Sequence, residues 1–134
     1  MVTRRLDPQI DRSKCRFFVG DALQISPELG NFDLILAANL IDRVPRPTDL
    51  LREIKRLVRP DGHIILASPY TWLEEFTPSE NWLADASVGT LSRIQEVLEP
   101  DLTLVASKDL PFLIREHARK FQWSVAQASL WKKR

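Results

Sequence analysis

The chain has 134 residues, 44% of them hydrophobic, which is enough for one domain with a substantial core. Its 19 basic and 18 acidic residues leave a formal net charge of +1, so the sequence predicts no nucleic-acid partner and no anionic membrane partner. It has neither an apolar run of about eighteen residues nor the apolar core of a signal peptide, and Cys15 is its single cysteine. We therefore expect a cytoplasmic protein with no membrane span, no disulfide framework and no metal cluster.

The centre of the chain predicts a strand–helix–strand unit. Phe32 to Ala37 and His63 to Ala67 are short apolar runs bounded by turn residues, as in strands buried on both faces of a parallel sheet. Between them, Thr48 to Val58 carries apolar residues at the spacing of one helix face. Because strands joined by such a crossover are parallel, both should end at the same edge of the sheet.

The N-terminal part predicts a tail and one further strand. Residues 1–14 are polar and lack periodicity, and Cys15 to Val19 reads CRFFV, a short apolar run that we interpret as a strand. Asp21 follows that run. An acidic residue at this place accepts hydrogen bonds from a ligand about as often as it caps a helix or forms a turn, so both roles stay open.

The C-terminal part predicts a helix and two strands. Residues 91–98 carry apolar side chains at helical spacing, and Leu102 to Ala106 reads as a strand. Residues 121–131 alternate with a period of two, which predicts a last strand. We expect it to be antiparallel, since no clear crossover helix precedes it. The expected architecture is α/β, with residues 15–134 forming one domain behind the tail.

Polar and aromatic residues follow the two central strands at their carboxyl ends. The first strand is followed by Asn39 to Asp42, and the second by Ser68 to Glu75. Open parallel sheets bind ligands beyond this edge, so we expect the functional site there.

The segment DLPFLIREHARK, residues 109–120, is predicted to be a connector that reaches the same side. It carries Arg115, Glu116, His117 and Arg119. An arginine there can hold a substrate carboxylate with two hydrogen bonds. A solvated charged loop is an equally simple interpretation of these residues.

The order of these features resembles the second half of class I S-adenosylmethionine-dependent methyltransferases. Three strings make the resemblance more specific: LAANLIDR at 36–43, SPYTWLEEFTP at 68–78 and DLPFLIREHARKFQW at 109–123. They are similar to the methyltransferase domain of ovothiol biosynthesis, described as a 4-mercaptohistidine N1-methyltransferase. The resemblance covers residues 14–132. It implies a partial Rossmann-like sheet with strands 3, 4, 5, 6 and 7 of the family order.

The resemblance also implies site residues. The acidic residue after the family's third strand contacts the adenine, which assigns cofactor binding to Asp21 and Ala22. The segment after the fourth strand passes under the methionine part of this cofactor, S-adenosyl-L-methionine. This assigns cofactor binding to Ala38, Asn39 and Leu40 as well. The substrate-side residues implied are Tyr70, Trp72, Glu75, Arg115 and His117.

Methyl transfer is an in-line displacement, so most of its acceleration comes from positioning. A thiohistidine substrate presents an ammonium group for Glu75, a carboxylate for Arg115 and a ring for Tyr70 or Trp72. If the ring nitrogen must lose a proton, Asp42, Glu75 or His117 is the candidate general base, and His117 ranks first because its intrinsic pKa suits neutral pH.

One part of the family pattern is missing. The four glycines, Gly20, Gly30, Gly62 and Gly89, lie too far apart to form a G-x-G-x-x-G loop, and no acidic residue stands for the ribose. Family order is 3-2-1-4-5-7-6, so loss of strands 1 and 2 exposes Phe32 to Ala37 as a sheet edge. We expect either that Cys15 to Val19 docks beside it or that the chain associates through it with itself or a partner chain.

Two functions are therefore carried forward. The first is an N-methyltransferase domain or fragment for thiohistidine, in a protein that can also carry an upstream sulfoxide synthase module. The second is a non-catalytic remnant that serves as a subunit or interaction module.

Overall fold

The computed structural model of the chain describes residues 7–84 and 89–134. In these ranges four strands form one mixed sheet. The strands are β1 (Phe32–Ala38), β2 (Val58–Ser68), β3 (Leu102–His117) and β4 (Lys120–Lys133), and the α-helices are α1 (Pro47–Leu57) and α2 (Thr90–Leu98).

The strand order across the sheet is β1-β2-β4-β3. β1 and β2 are parallel and joined through α1, whereas β4 runs antiparallel to both of its neighbours. This arrangement corresponds to strands 4-5-7-6 of the family order, so the predicted α/β class and the antiparallel last strand are confirmed.

Helix α1 forms where the apolar periodicity predicted it. Leu50, Leu51, Ile54 and Leu57 are all buried, and they lie on the single helix face that packs on the sheet. The helix begins one residue earlier than expected, at Pro47, whose fixed backbone angle suits a first helical position.

The core lies between one face of the sheet and the two helices. Ile64, Leu66 and Trp131 of the sheet pack there with residues of α1 and α2, such as Ile54 and Ile94. Side chains alternate between the two faces of a strand, so the neighbours of these sheet residues in sequence point to the other face.

The opposite face of the sheet carries a row of apolar side chains. Strand register aligns Leu36 with Ile65 and Ile65 with Leu130, and none of the three belongs to the core cluster. Both described α-helices pack on the other face, so neither of them covers this row, in which Leu36 is exposed and Ile65 and Leu130 are half-buried.

The predicted strand Cys15 to Val19 is wrong. These residues have no strand pairing, and their side chains are exposed, including those of Phe17 and Val19. A strand of five residues is stable only when its backbone groups pair with a neighbour, and the described residues provide none here. The alternative in which this segment docks beside β1 is therefore also wrong, and β1 is an edge strand.

The predicted connector at residues 109–120 is also wrong, because β3 continues to His117. Asp109 pairs with Gln127, and the ladder then runs through Leu113 and Trp123 to His117 and Lys120. Pro111 and the charged residues made the segment read as a loop, but its alternating apolar side chains allow a strand once β4 lies beside it.

We call residues 110–126 the hairpin arm. The pairing of β2 with β4 ends at Ser68 and Gln127, so within the described ranges β3 and β4 pair only with each other in this arm. The length from Gln127 to Lys120 is on the order of 20 Å. The arm therefore projects well past the carboxyl end of β2.

The predicted boundary between tail and domain stays a prediction, since residues 1–6 lie outside the described chain.

Candidate functional site

The carboxyl ends of β1 and β2 lie side by side, as the sequence predicted. Ala38 pairs with Ala67, and the next residue, Asn39, donates its backbone N–H to the Ala67 carbonyl at 2.7 Å. Asn39 has a φ of 52°, in the left-handed region where asparagine is one of the tolerated residues. The chain therefore turns sharply at the end of β1 and enters the segment that carries Asp42.

Asp42 joins the two strand ends. Its side chain is 1% exposed, and its Oδ1 accepts a hydrogen bond from the Ser68 hydroxyl at 2.8 Å. Its Oδ2 accepts one from the backbone N–H of Thr71 at 3.0 Å. A single carboxylate following β1 thus holds the beginning of the loop that follows β2.

Arg43 neutralises this carboxylate and holds the same loop. Its Nη1 lies 3.1 Å from Asp42 Oδ2 and donates to the Thr71 carbonyl at 2.7 Å. The guanidinium carbon also lies 5.1 Å from the centre of the Phe76 ring, within the range of a cation–π contact. Both ends of the loop are therefore attached to the residue pair Asp42–Arg43.

This geometry gives Asp42 a supporting role besides the general-base role considered for it. Both of its oxygens accept hydrogen bonds from the protein, and its negative charge has a cationic partner in contact. A carboxylate engaged in this way holds the loop, and a proton taken from a substrate would displace one of these bonds. The general-base role of Asp42 stays a prediction.

Two hydrogen-bond donors in the loop are buried without a protein partner. They are the hydroxyl of Tyr70 and the indole Nε1 of Trp72, and both residues also pack against the core. A buried donor that lacks an acceptor costs about 1–3 kcal/mol, so such groups are normally satisfied by water or by a ligand. This pair is the clearest indication of a binding site in the described chain.

Tyr70 is held in a neutral, donating state. Burial raises the pKa of its hydroxyl to about 12, and the negative charge of Asp42 contributes in the same direction. Its backbone has a φ of 52°, and its N–H donates to the Ser68 hydroxyl at 3.0 Å. The same Ser68 thus links Tyr70 to Asp42.

Sequence reasoning gave Arg43, Ser68 and Thr71 no role, although they build this network. All three stand in the two stretches that follow the central strands, and Arg43 is next to Asp42 in sequence. Their function depends on contacts between residues 26 to 29 positions apart, which no local pattern indicates.

The five predicted cofactor residues fall into two groups. Asp21 and Ala22 line a cavity of about 890 Å³ beside β1, whose lining does not include Ala38, Asn39 or Leu40. Asp21 Oδ1 accepts the backbone N–H of Leu23 at 2.8 Å, which is the turn-forming role left open for it. Ala38 and Asn39 lie at the end of β1, and Leu40 packs on the core.

The predicted substrate residues are also divided. Tyr70 and Trp72 lie together in the loop after β2, and Glu75 follows them there with an exposed side chain. Arg115 and His117 belong to the hairpin arm. Their contacts lie within the arm: Arg115 Nε donates to the His117 carbonyl at 3.4 Å, and His117 Nδ1 accepts the backbone N–H of Arg119 at 3.2 Å.

The described residues fit only part of S-adenosyl-L-methionine. The end of β1 supplies the strand-end part of such a site, whereas Asp21 follows no strand and lines the separate cavity beside β1. Of the four glycines, Gly62 lies in β2 against Val58 and Arg59, and Gly20, Gly30 and Gly89 each stand alone, so none forms the glycine-rich turn. The described ranges therefore supply part of the strand end of such a site and no glycine-rich turn.

The described ranges contain neither a cluster of metal ligands nor a membrane-spanning helix. No group of three or more His, Cys, Asp or Glu side chains is arranged to hold a metal ion. Neither α1 nor α2, nor any other helix of the described residues, has the length and hydropathy of a membrane span.

Comparison with known proteins gives a family signal for the first half of the chain. A family model described as a methyltransferase domain matches residues 2–66, which include β1, α1 and most of β2. The match therefore covers the strand–helix–strand unit and the Asp42 side of the candidate site.

Solved structures show the fold. A protein of echinomycin biosynthesis, described for converting a disulfide bond into a thioacetal group, matches with a TM-score of 0.59 at 14% identity, over 87% of this chain and 55% of its own. The N-methyltransferase NodS of Bradyrhizobium japonicum WM9, in complex with S-adenosyl-L-homocysteine, matches with a TM-score of 0.53 at 17% identity. The match covers 85% of this chain and 52% of NodS. A second NodS structure matches with a TM-score of 0.52 at 18% identity, over 85% of this chain and 57% of its own.

The chain thus spans a little over half the length of the proteins that it matches. At these identities the likeness shows the fold alone, and the family model matches residues 2–66, just under half of the chain. The chain therefore has an α/β fold similar to that of class I methyltransferase structures, and its residues 2–66 match the model of a methyltransferase domain.

Proposed function

We propose that the chain is an S-adenosyl-L-methionine-dependent N-methyltransferase domain that acts on the imidazole of 4-mercaptohistidine. The methyltransferase-domain match and the fold support methyl transfer. The substrate rests on the strings at 36–43, 68–78 and 109–123, which resemble the methyltransferase domain of ovothiol biosynthesis.

The observation that carries the proposal is the pair of buried, unpartnered donors after β2. The Tyr70 hydroxyl and the Trp72 Nε1 need acceptor atoms, and the string that contains them, SPYTWLEEF at 68–76, is part of the resemblance. An imidazole-bearing amino acid offers both a ring face for the aromatic side chains and oxygen or nitrogen acceptors for their donors.

When bound, S-adenosyl-L-methionine supplies an activated methyl group. The task of this chain is then to hold and orient the acceptor, because an in-line displacement gains most from alignment. The Asp42–Arg43 pair makes the loop rigid, and Tyr70 and Trp72 donate to the acceptor molecule. Tyr70 stays protonated during turnover because its pKa is about 12.

Three further roles remain part of the proposal. Glu75, which is exposed in the same loop, receives the substrate ammonium group or acts as a base. Arg115 receives the carboxylate, and His117 acts as general base, once the hairpin arm lies against the occupied site of the complete protein. We also propose a cytoplasmic location and an upstream sulfoxide synthase module in the complete protein.

The first test is a titration of the purified chain with S-adenosyl-L-homocysteine, in which the heat of binding is measured. The second is an assay with S-adenosyl-L-methionine and thiohistidine, in which the product is detected by mass spectrometry. The mass of the chain in solution is recorded in parallel. The proposal expects saturable binding and a mass gain of one methyl group on thiohistidine, and none on histidine. A folded chain that binds no cofactor overturns the proposal for this chain.

Matched variants test the role of the two donors. Trp72→Phe should lower kcat/KM for thiohistidine at least tenfold, because the removed N–H has no protein acceptor and is reserved for the substrate. Trp82→Phe is the control, since the Trp82 Nε1 already donates to the Thr77 carbonyl at 2.9 Å. Equal losses in the two variants would assign both tryptophans to packing alone.

A non-catalytic subunit is the second candidate function. The observation that favours it is the unpaired edge of β1, beside which the described residues supply no further strand. Failure of cofactor binding together with retained folding supports this function.

A further inference from the structure

We propose that two copies of this chain pair through one face of the hairpin arm, so that the tip of each arm lies at the strand ends of the other copy. Arg115 and His117 then serve the site of the partner copy. This assignment to the partner's site rests on the proposed methyl transfer, whereas the pairing of the arms does not depend on it.

One face of the hairpin arm continues the helix-covered side of the sheet. Trp131 of β4 is buried in the core on this side. Side chains alternate along a strand, so the odd-numbered residues of β4 in the arm lie on the same side, together with the residues of β3 that pair with them. We call this set the arm face: Pro111, Leu113, Arg115, Phe121, Trp123 and Val125.

The arm face is apolar and exposed. Its side chains Leu113, Phe121, Trp123 and Val125 are 57%, 52%, 67% and 44% exposed. Strands β4 and β3 lie on the far side of β2 from β1, so a further strand beside β1 would leave this face uncovered. A contiguous apolar patch of this kind marks an interaction surface.

Two opposite charges stand at the two ends of this surface. Asp109 pairs with Gln127 at the base of the arm, and Arg115 lies roughly 20 Å farther along the same strand and on the same side. Within residues 7–84 and 89–134, neither side chain forms an ion pair, and Arg115 donates from Nε to the His117 carbonyl. A face with an acidic base and a basic tip is complementary to a second copy of itself in the reversed direction.

The charges also select the orientation of the second copy. A two-fold axis between the two arm faces, perpendicular to the strands, lays β3 over the partner's β3 in the opposite direction. The strand positions then bring Arg115 over the partner's Asp109, and Leu113 over the partner's Pro111. The other orientation would lay tip on tip, where Arg115, Arg119 and Lys120 of both copies would repel each other.

The exposed area of the arm face suits a weak dimer. A large aromatic side chain offers about 150–250 Å², so the exposed parts of the four apolar side chains add up to on the order of 450 Å² per copy. Two copies would bury on the order of 900 Å², which is near the lower limit for a specific interface. We therefore expect a dimer that dissociates at micromolar concentrations.

This pairing brings each arm tip to the strand ends of the other copy. Asp109, Gln127 and Ser68 lie side by side across β3, β4 and β2. A tip above the partner's Asp109 is therefore two strands, roughly 10 Å, from the end of the partner's β2, where the loop with the two unpartnered donors begins. Within one copy, Arg115 lies roughly 20 Å past that level. Arg115 and His117 are thus closer to the partner's site than to their own.

Sedimentation velocity of the full chain should show a monomer–dimer equilibrium with a Kd in the micromolar range. Leu113→Gln should raise this Kd at least tenfold, because it places an amide in the apolar contact. Ile114→Gln is the matched control: Ile114 is the next residue, is 44% exposed and points to the other face of the arm. Its Kd should stay within about twofold of the wild-type value. Circular dichroism checks that each variant is folded.

Charge reversal tests the orientation. Arg115→Asp and Asp109→Arg should each raise the Kd at least tenfold, since each sets like charges against one another at both ends of the interface. Combined in one chain, the two substitutions should restore the wild-type Kd, because opposite charges face each other again. In the tip-to-tip orientation, Arg115→Asp would instead lower the Kd.

A mixing experiment tests the assignment to the partner's site. Trp72→Phe and Arg115→Ala chains should each turn over thiohistidine slowly. An equal mixture above the Kd should recover about a quarter of the wild-type rate, because half of the dimers are mixed and one of their two sites combines an intact Trp72 with the partner's Arg115. A mixture no faster than the mean of the two variants assigns Arg115 to its own copy.

The pairing is overturned by a folded chain that stays monomeric, by equal effects of Leu113→Gln and Ile114→Gln, or by a double charge reversal that restores nothing. A dimer that behaves as expected but binds no S-adenosyl-L-homocysteine keeps the pairing, and it overturns both the proposed catalysis and the assignment to the partner's site. Turnover of thiohistidine by a chain that stays monomeric does the opposite for pairing and catalysis.

Discussion

Asp42 is the residue on which the candidate site depends. It is buried at the point where the ends of β1 and β2 meet, and it accepts hydrogen bonds from Ser68 and Thr71 of the loop after β2. With Arg43 in contact, the carboxylate is both hydrogen-bonded and charge-compensated, which is the condition under which a buried charge is tolerated. The position of Tyr70 and Trp72 follows from this attachment.

Asp42→Asn should lower the free energy of unfolding by about 1–3 kcal/mol. In either orientation the new amide group turns its NH₂ toward a donor, which leaves the Ser68 hydroxyl or the Thr71 N–H unsatisfied. Urea denaturation measures the change. Asp49→Asn is the control: Asp49 is exposed on α1 and forms surface ion pairs with Arg46 and Arg52, so its loss should cost less than about 1 kcal/mol. Equal costs would contradict the supporting role of Asp42.

The titration of Tyr70 can be observed directly, because it is the single tyrosine of the chain. The phenolate absorbance of the folded chain should rise with a midpoint near the pKa of about 12, and that of the urea-unfolded chain near the ordinary tyrosine pKa of 10.0. The folded state then binds more protons than the unfolded state between these values. The stabilising contribution of neutral Tyr70 is therefore complete below pH 10 and decreases as the pH rises toward 12.

A midpoint near 10 in the folded chain would show that the Tyr70 hydroxyl is solvated. Circular dichroism recorded on the same samples distinguishes titration of the folded chain from alkaline unfolding.

At the scale of elements, the sheet and the helices differ in how far the sequence determines them. Helices α1 and α2 form where helical periodicity indicated, within a residue at each end. Strand β3 runs from Leu102 to His117, much farther than the predicted Leu102 to Ala106. Helix periodicity is local, whereas the length of a strand depends on the neighbour with which it pairs.

The junction between α1 and β2 depends on Gly62. A Cβ atom at this position would lie 2.7 Å from Val58 Cγ2 and 2.8 Å from the Arg59 carbonyl oxygen. Gly62→Ala should therefore lower the free energy of unfolding by about 1–3 kcal/mol, since two near neighbours must move. Gly20→Ala is the control, because a Cβ there meets no atom within 4 Å, and its effect should stay within about 0.5 kcal/mol. Thermal melts of both variants measure the difference, and similar melting temperatures would contradict the close approach.

At the scale of the whole molecule, helices cover only one side of the sheet within residues 7–84 and 89–134. Both helices pack on one face, and the other face carries the row Leu36–Ile65–Leu130 next to an unpaired edge. The net charge of +1 adds little repulsion between copies. Solution behaviour should therefore depend on pH.

Light scattering by the purified chain should be greatest near its isoelectric point of about 7.9 and decrease at both lower and higher pH. Leu34→Glu should reduce scattering at neutral pH, because it places a charge on the exposed edge strand. Ser107→Glu introduces the same charge at an exposed polar position of β3 and should leave most of the scattering in place. Either substitution takes the formal net charge from +1 to 0, so net charge alone would raise the scattering at neutral pH. An equal change in both variants, in either direction, would contradict the edge strand as the source.

The sequence by itself determined the strand–helix–strand unit, the second helix, the antiparallel last strand and the two stretches that form the strand ends. Each of these is encoded by periodicity or by turn residues within a short window. Only the tertiary structure decided that Cys15 to Val19 forms no strand, that residues 109–117 extend β3, and that Asp42 supports the loop. Those outcomes depend on partners distant in sequence: a strand needs a neighbour to accept its hydrogen bonds, and a carboxylate takes its role from the donors that the fold brings to it.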